Sequence, residues 1–498
     1  MTAIITEKFR QHNAGQFFES FTEASASTYY LFIGKATQFT SGTTGGSDAA
    51  PPTPSDGVGE EFYVWDDMIA GKKITSSYIS YAIPRRNWTN GTTYDQYHHN
   101  INSSNIATSG ATNIYDSTFY FMTSDYRVYK VLDNNGGTAY SGSAPTSEST
   151  APFELGGYVV KFIYSLTASE IEKYLTTDFM PVSTDTTVSA AATDGAIVSL
   201  KVTAGSSYTN GTYYAAVYGD GTSQGTSSGA IIRITIASGS IASFGLTAGS
   251  DTTIHAAGAL YTYGTVNLAS GYTFSDAALT TAAAAGGAGG SIEIIVSPKN
   301  GHGYNAVEEL GGHYVMMNTT LTQAEGDDFS TANDFRRVGV VVDPYNYGTS
   351  TIATADTVRQ TFSAKLTSVS GTFAGDEKIS QTSTGAIGKV IEWDSDNNII
   401  YYQQERFGDY GTSGTTGGFV AFSGANKITG ATSAAYGTPD ANADSAVTLP
   451  GGNTVTFTNG YANAELQPDS GKIIYIENRK PISRSSDQTE DIKLIVEF

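Results

Sequence analysis

Apolar residues in this chain return at every second position, in short runs bounded by glycine, asparagine or aspartate, as in Gly157–Tyr164, Ala230–Ile236, Ser291–Val296, Val338–Val342, Lys389–Trp393 and Asp491–Phe498. A period of two puts alternate side chains on opposite faces of a strand and denies a helix any coherent apolar stripe. Composition points the same way: 55 glycines, 32 tyrosines and 23 phenylalanines among 498 residues, with only 15% charged, suit β-branched and aromatic strands broken by turns. The expectation is a mainly β chain, long enough for several domains.

Two short helices depart from the pattern. One is expected from about Thr6 to Ser20, with Ile5, Phe9, Phe17 and Phe21 near one face and Glu7 in its first turn. The other opens on the capping box Thr167-Ala168-Ser169-Glu170, followed by Ile171, Tyr174 and Leu175 on one side.

Two segments differ in composition from their surroundings. From about Thr184 to Gly290 the chain loses nearly all proline, lysine and arginine. It also repeats itself, Ile197–Ser206 recurring as Ile241–Ser250 at an offset of 44 residues. Such a repeat fits a small antiparallel unit, with Ile, Leu and Val inward and Ala-Gly-Ser turning the chain. About Thr351 to Gly460 reads as hairpins with Gly/Thr-rich loops such as Tyr410–Gly418. Both segments read as insertions in a framework that keeps the proline, arginine and bulky aromatics.

Charge and cysteine content exclude whole classes of function. Acidic residues outnumber basic ones to a net charge of −21, the wrong sign for neutralising nucleic-acid phosphates. The absence of cysteine excludes disulfides, thiolate zinc sites, iron–sulfur clusters and a cysteine nucleophile. The opening residues Met1–Arg10 carry no charged leader with an apolar core, and no run approaches the roughly 18 apolar residues of a spanning helix, the Ala282–Ala285 run dissolving into glycine. No secretion and no membrane insertion are expected, so sequons such as Asn87 and Asn318 read as chance.

Candidate chemistry is thin. Asp394, Asp396 and Asn398 with Glu405 match positions of an EF-hand loop, but Ile399 stands where that loop needs glycine, and a hairpin turn between Val390–Trp393 and Ile399–Gln403 is the better reading. Glu325, Asp327 and Asp328, like the Asp66-Asp67 pair, read as solvated loop carboxylates; paired-carboxylate hydrolysis is the alternative for the first group and lacks a partner constellation. The six histidines form no metal or triad spacing, and His98-His99 is either a surface or a core pair. Gly219–Gly225 lacks the lysine and the strand-to-helix context of a phosphate loop, and there is no Gly-x-Ser-x-Gly elbow. No catalytic residue, cofactor site or metal site is expected.

Ile83-Pro84-Arg85-Arg86-Asn87-Trp88 is of a different kind. Two adjacent arginines beside a tryptophan let one guanidinium stack or pair internally while the other reaches a partner's carboxylate; a buried pair fixing a loop is the alternative. These residues belong to a series that resembles the gene-eight product family of T-even phage baseplate wedges and their contractile-tailed cyanophage relatives. The C-terminal stretch Ile474–Ile482, with Glu477, Asn478 and Arg479, followed by Asp487–Ile492, resembles the family's closing signature. Thr6–Arg10, Phe32–Gly34, Pro51–Asp56, Val128–Asp133, Gly157–Tyr164 and Phe335–Pro344 agree in order and spacing.

The resemblance implies a mainly β, multi-domain β-sandwich framework with a few short helices, formed by residues 1–183, 291–350 and 461–498. The segments 184–290 and 351–460 are then inserted β modules, expected on a peripheral face because their core-forming residues look weak. It also implies a non-enzymatic virion protein of the tail baseplate, homodimeric, contacting other wedge subunits in a sixfold assembly built in the host bacterial cytoplasm. Arg85, Arg86, Trp88, Glu477, Asn478 and Arg479 are the framework or interface candidates. The alternative is a tail-associated host-surface or saccharide-binding protein, with Tyr94–Tyr97 as a stacking platform.

Overall fold

A computed structural model describes residues 5–40, 45–268, 287–322, 329–405, 419–443, 445–449, 452–485 and 489–498. The carboxylates Glu325, Asp327 and Asp328, the runs Tyr410–Gly418 and Ala282–Ala285, and Asp487 and Gln488 of the closing signature lie outside the described residues. The fold is mainly β, 41% strand and 11% helix, in several sheets that include a half-barrel and a nearly closed barrel. It divides into two compact units, one of residues 1–16, 80–316 and 495–498, the other of 17–79 and 317–494.

In the first unit, the strands Tyr120–Met122, Arg127–Asp133, Tyr158–Ser165 and Phe153–Leu155 form an antiparallel sheet buried on both faces. The period of two feeds two cores. Val128 joins Tyr97, Phe119, Tyr120 and Ile163 on one side, while Tyr129 and Val131 join Tyr94, Phe121, Tyr140 and Phe162 on the other. Tyr94 and Tyr97 are therefore core rings, which removes them as a stacking platform. A second sheet of this unit, drawn from strands between Ser199 and Ile295, closes over Leu200, Val217, Ile232, Ile234, Ile292 and Ile294 and takes Leu132 and Val159 into the same cluster. The expected weak core is thus corrected: isoleucine and valine on alternate positions suffice to bury a contiguous apolar layer.

The two repeat copies part company in this sheet. Residues Ser199–Ser206 form a full strand against Ala288–Ile295. The second copy keeps only the strand Ser240–Ile241, because Leu246 N–H is taken by Glu154 and Thr247 N donates to Asp251 Oδ2 at 3.0 Å, turning the chain.

In the second unit, Thr357–Arg359, Met68–Ile74, Tyr29–Gly34, Phe335–Val342 and Lys472–Ile482 lie side by side in that order, all antiparallel. Phe32 sits opposite Gly71 on one neighbour and Gly339 on the other. A Cβ on Gly339 would stand 2.2 Å from the Phe32 ring, so the glycine exists to admit that ring. Residues from Phe362 to Ala462 build a seven-stranded sheet whose strands Phe362–Ser370 and Ile399–Gln403 also pair with each other, closing it around Leu366, Ile379, Val390, Ile400 and Tyr402.

The expected hairpin between Ala386–Asp394 and Ile399–Gln403 is present, with Asp394 Oδ1 accepting from the Asp396 and Asn397 N–H groups at 3.0 Å. Both sequence-expected helices form, as Glu7–Glu19 and Ala168–Tyr174, the second with its capping box complete. The apolar face of the first is only partly buried, for Ile5 and Phe9 are exposed. A third helix, Val58–Asp67, was not anticipated: its Val, Phe, Tyr and Trp read as strand formers, and packing of Val64 and Trp65 against the sheet overrides that preference.

Candidate functional site

The residues with the most constrained chemistry are buried charges. In the second unit, Arg337 stands in an apolar strand, opposite Gly34 on one side and Asn478 on the other. Gly34 lies at a register shift, and a Cβ there would meet the Asp67 carbonyl at 2.7 Å; its missing side chain lets the end of helix Val58–Asp67 approach. Arg337 Nη1 then reaches Asp67 Oδ1 and Oδ2 at 3.1 and 3.0 Å, Nη2 reaches Glu60 Oε1 at 2.9 Å, and Nε donates to Asn478 Oδ1 at 2.9 Å. Asn478 Nδ2 in turn donates to Pro52 O at 3.0 Å. Burial pushes the Asp67 carboxyl up, and the charges of Arg337 and Lys35 work against that rise. The expectation of a solvated Asp66-Asp67 pair is corrected for Asp67, which is buried because a guanidinium with nearly all its donors engaged is waiting for it. Arg336, next in the strand, bonds Ala36 O and Asp48 Oδ1 at 2.6 and 2.9 Å.

The first unit has a counterpart. Lys130 shares the parity of Val128, so its side chain enters the core face. Its ammonium is wholly buried, 2.5 Å from Glu309 Oε1, 2.8 Å from His302 Nδ1 and 3.4 Å from the centre of the Tyr97 ring. Glu309 is brought in by the short helix Ala306–Leu310, which Asn305 caps, and its other oxygen accepts from Gly303 N–H at 2.6 Å. Burial raises the Glu309 carboxyl, but the Lys130 charge and His302 outweigh it and hold it down at about 2. Burial and the Lys130 charge hold His302 down at about 4. Burial likewise draws Lys130 down to about 8, against the pull of Glu309. With Nδ1 accepting from Lys130, the imidazole proton belongs on Nε2, which is buried with no partner. The arrangement holds elements together; it presents no open face to a substrate.

The six candidates divide between the units. Arg86 lies over the Tyr120 ring at 4.3 Å and donates through Nη2 to Tyr115 O at 2.9 Å. Arg85 bonds Asn87 Oδ1 and Thr176 O at 2.9 and 2.7 Å. One arginine stacks internally as expected, and among the described residues neither pairs with a carboxylate. Trp88 packs edge-on against Tyr140 at 5.9 Å. On the outermost strand Lys472–Ile482, Asn478 is the Arg337 ligand, Glu477 accepts from Tyr475 OH at 3.0 Å, and Arg479 is half-exposed.

Sequence reasoning passed over Lys130, His302, Glu309, Arg337 and Glu60. A signal existed for two of them: a lysine or arginine at an inward position of an apolar alternation demands a buried acid. His98 and His99 stack at 4.9 Å, His98 buried against Glu293 and His99 exposed, one core and one surface. Glu405 is buried near Thr37 rather than joined to Asp394, and no three acidic or histidine side chains could hold a metal ion among the described residues. No helix among them is long and apolar enough to cross a membrane.

A family model described as Bacteriophage T4, Gp8 matches residues 3–152 and 441–498. Over these two segments the chain is similar to the gp8 family of baseplate wedge proteins. No curated protein matches it. The two matched segments hold all six candidates, and also Pro52, Glu60, Asp67 and Lys130. The partners Arg337, His302 and Glu309 fall in the unmatched stretch between them. The family is structural, its members stand in the phage tail baseplate, and association with other baseplate components follows from that.

Proposed function

We propose that this chain is a dimeric, non-enzymatic wedge subunit of a contractile myovirus tail of the cyanophage-like kind. It is assembled in the host cytoplasm and contacts neighbouring wedge proteins in a sixfold baseplate. The observation that carries this reading is the Arg337 network: Glu60 and Asp67 from the first family segment and Asn478 from the second meet on one guanidinium, and Asn478 also donates to Pro52 O of the first, so residues of both matched segments share one framework site. On this reading residues 1–183, 291–350 and 461–498 are that framework, with 184–290 and 351–460 as inserted modules. The lining of the first module by Leu132 and Val159 means that removing it would bare framework apolar surface.

Dimerisation and docking draw on large surfaces with aromatic and arginine anchors. The long outermost strand Lys472–Ile482, with Ile474 exposed and Arg479 half-exposed, offers such a surface. Arg85, Arg86, Trp88 and Glu477 serve as framework residues. The test is light scattering on the purified chain at several concentrations, together with Arg479→Glu. A mass of twice 52.4 kDa at every concentration, and a variant that folds yet enters wedges poorly, are the expected results. A stable monomer would overturn the dimer, and unchanged wedge incorporation would remove Arg479 from the interface.

A further inference from the structure

In the first unit a cavity of about 270 Å³ lies between residues 96–108, the turn after Asp133 and the strand Ser199–Ser206. That volume is near the lower end of small-ligand sites, at about 300 Å³, and far above the water-sized voids of packed interiors. Ile106 is 56% exposed while lining it, so the cavity is reached from solvent at that edge.

Some of the polar groups in its walls are already spent. Asn134 donates to Tyr94 O at 2.9 Å and accepts from Gly137 N–H at 3.0 Å. His98 Nδ1 accepts from Asn100 N–H at 3.1 Å, and its Nε2 meets Glu293 Oε1 at 3.1 Å. Three oxygens are unspent. Asp133 Oδ1 accepts from Asn135 N–H at 2.9 Å, while Oδ2 has no hydrogen-bond partner among the described residues. Gln96 gives its Nε2 to Leu132 O and Leu200 O at 2.8 and 3.1 Å, and Asn105 gives its Nδ2 to Asn100 O at 2.8 Å. The side-chain oxygens of both amides meet no donor among the described residues. None of the three oxygens is closed to water, so an incoming donor can reach them.

The same cavity has a cation to spare. Lys201 lines it and is exposed, and the acid directly across the sheet from it, Glu293, is held by His98. Lys201 Nζ bonds no carboxylate among the described residues. An ammonium group carries three donors and one positive charge, which matches three acceptors of which one is a carboxylate. A simple amine would leave Lys201 unanswered, and a simple anion would meet Asp133. The remaining walls include Val202 and Phe244, which suit an apolar substituent.

We propose that this cavity binds an aliphatic α-amino acid, its ammonium on Asp133, Gln96 and Asn105, its carboxylate on Lys201 and its side chain against Val202 and Phe244. The proposal is independent of the wedge reading, since a baseplate subunit works as a scaffold with or without a bound amino acid. Burial holds the Asp133 carboxyl up at about 6; the Asn135 N–H bond works against that rise and the Glu154 charge adds to it. The other ionisable groups around the site are Tyr158, Lys201, His98 and Glu293. An ammonium selects the ionised form of Asp133, whose share grows from about a tenth at pH 5 to about nine-tenths at pH 7, so affinity should rise about tenfold over that range.

The full-length protein is titrated calorimetrically with leucine at pH 5, 6 and 7, beside isoamylamine and 4-methylpentanoate, which each carry one of the two charges. Leucine is expected to bind about tenfold more tightly at pH 7 than at pH 5, and at pH 7 at least tenfold more tightly than either analogue. Asp133→Asn keeps an acceptor for Asn135 N–H, and should lose tenfold or more at pH 7 together with the pH dependence. Lys201→Gln, an exposed change, should bring leucine down to the level of isoamylamine, and an unchanged melting midpoint checks that each variant is folded. Failure of leucine to bind, an analogue binding as tightly as leucine, or wild-type affinity in Lys201→Gln or in folded Asp133→Asn would overturn the proposal.

Discussion

Replacing Lys130 by methionine takes one charge out of a place that water does not reach. Methionine is similar in length to the lysine stem, so its thioether can occupy the place of the ammonium against the Tyr97 ring. The loss is the ammonium that Glu309 meets at 2.5 Å and His302 at 2.8 Å. Glu309, with a side chain 2% exposed, keeps only the Gly303 N–H and an imidazole that is neutral at pH 7.5. Removing one member of a buried pair costs about 3–5 kcal/mol, because the remaining charge stays desolvated. That is a large share of the roughly 5–15 kcal/mol by which a domain is stable. Denaturant titration at pH 7.5, with hydrogen exchange read in Arg127–Asp133, should show the loss. The double variant Lys130→Met/Glu309→Gln should recover most of it, since a neutral amide still accepts from Gly303 N–H. Lowering the pH toward 6 should also shrink the deficit of the single variant, as His302, 3.3 Å from Glu309 Oε1, takes up a proton in place of the lysine. A cost below about 1 kcal/mol, the range of exposed pairs, or a double variant no more stable than the single one, would refute the reasoning.

Three further outcomes follow from the same geometry. His302 titrates at about 4 in the folded chain, so the unfolded chain takes the proton first; the stability owed to neutral His302 is complete above about pH 6.5 and falls by up to about 3 kcal/mol toward pH 4. His302→Gln should flatten that stretch of a stability–pH curve, leaving the separate Glu309 contribution, which is present above its unfolded value near 4.3 and lost as pH falls through about 2. Asn478→Ala removes the acceptor for Arg337 Nε and the donor to Pro52 O, and should cost about 1–3 kcal/mol, seen as faster hydrogen exchange in Phe335–Val342. Thr167→Ala should cost about 1 kcal/mol by removing the cap of Ala168–Tyr174, read from the denaturation midpoint.

The parts of the fold that were legible in the sequence are those decided within a few residues. Alternation marked the strands Tyr158–Ser165, Ile231–Ala237 and Ala386–Asp394 to within a few positions, since side-chain parity is a local property of an extended chain. The capping box at Thr167 and the turn at Asp394 are also local hydrogen-bond solutions. The helix Val58–Asp67 was not legible, because its aromatic and β-branched residues prefer strands and only burial of Val64 and Trp65 outweighs that preference.

The repeat shows the same limit from the other side. Two stretches alike at six of ten positions took different conformations, since one found a strand partner in Ala288–Ile295 and the other met Glu154 and Asp251.

The sequence by itself determined a β-rich, cysteine-free, acidic chain and the terminal motifs that tie it to the gp8 family. Only the tertiary structure decided where the charges go. Lys130 finds Glu309 across 179 residues, and Arg337 finds Asp67 across 270. A buried ion is tolerable only when its counter-ion arrives within hydrogen-bond reach, and which carboxylate arrives is set by the packing of whole elements.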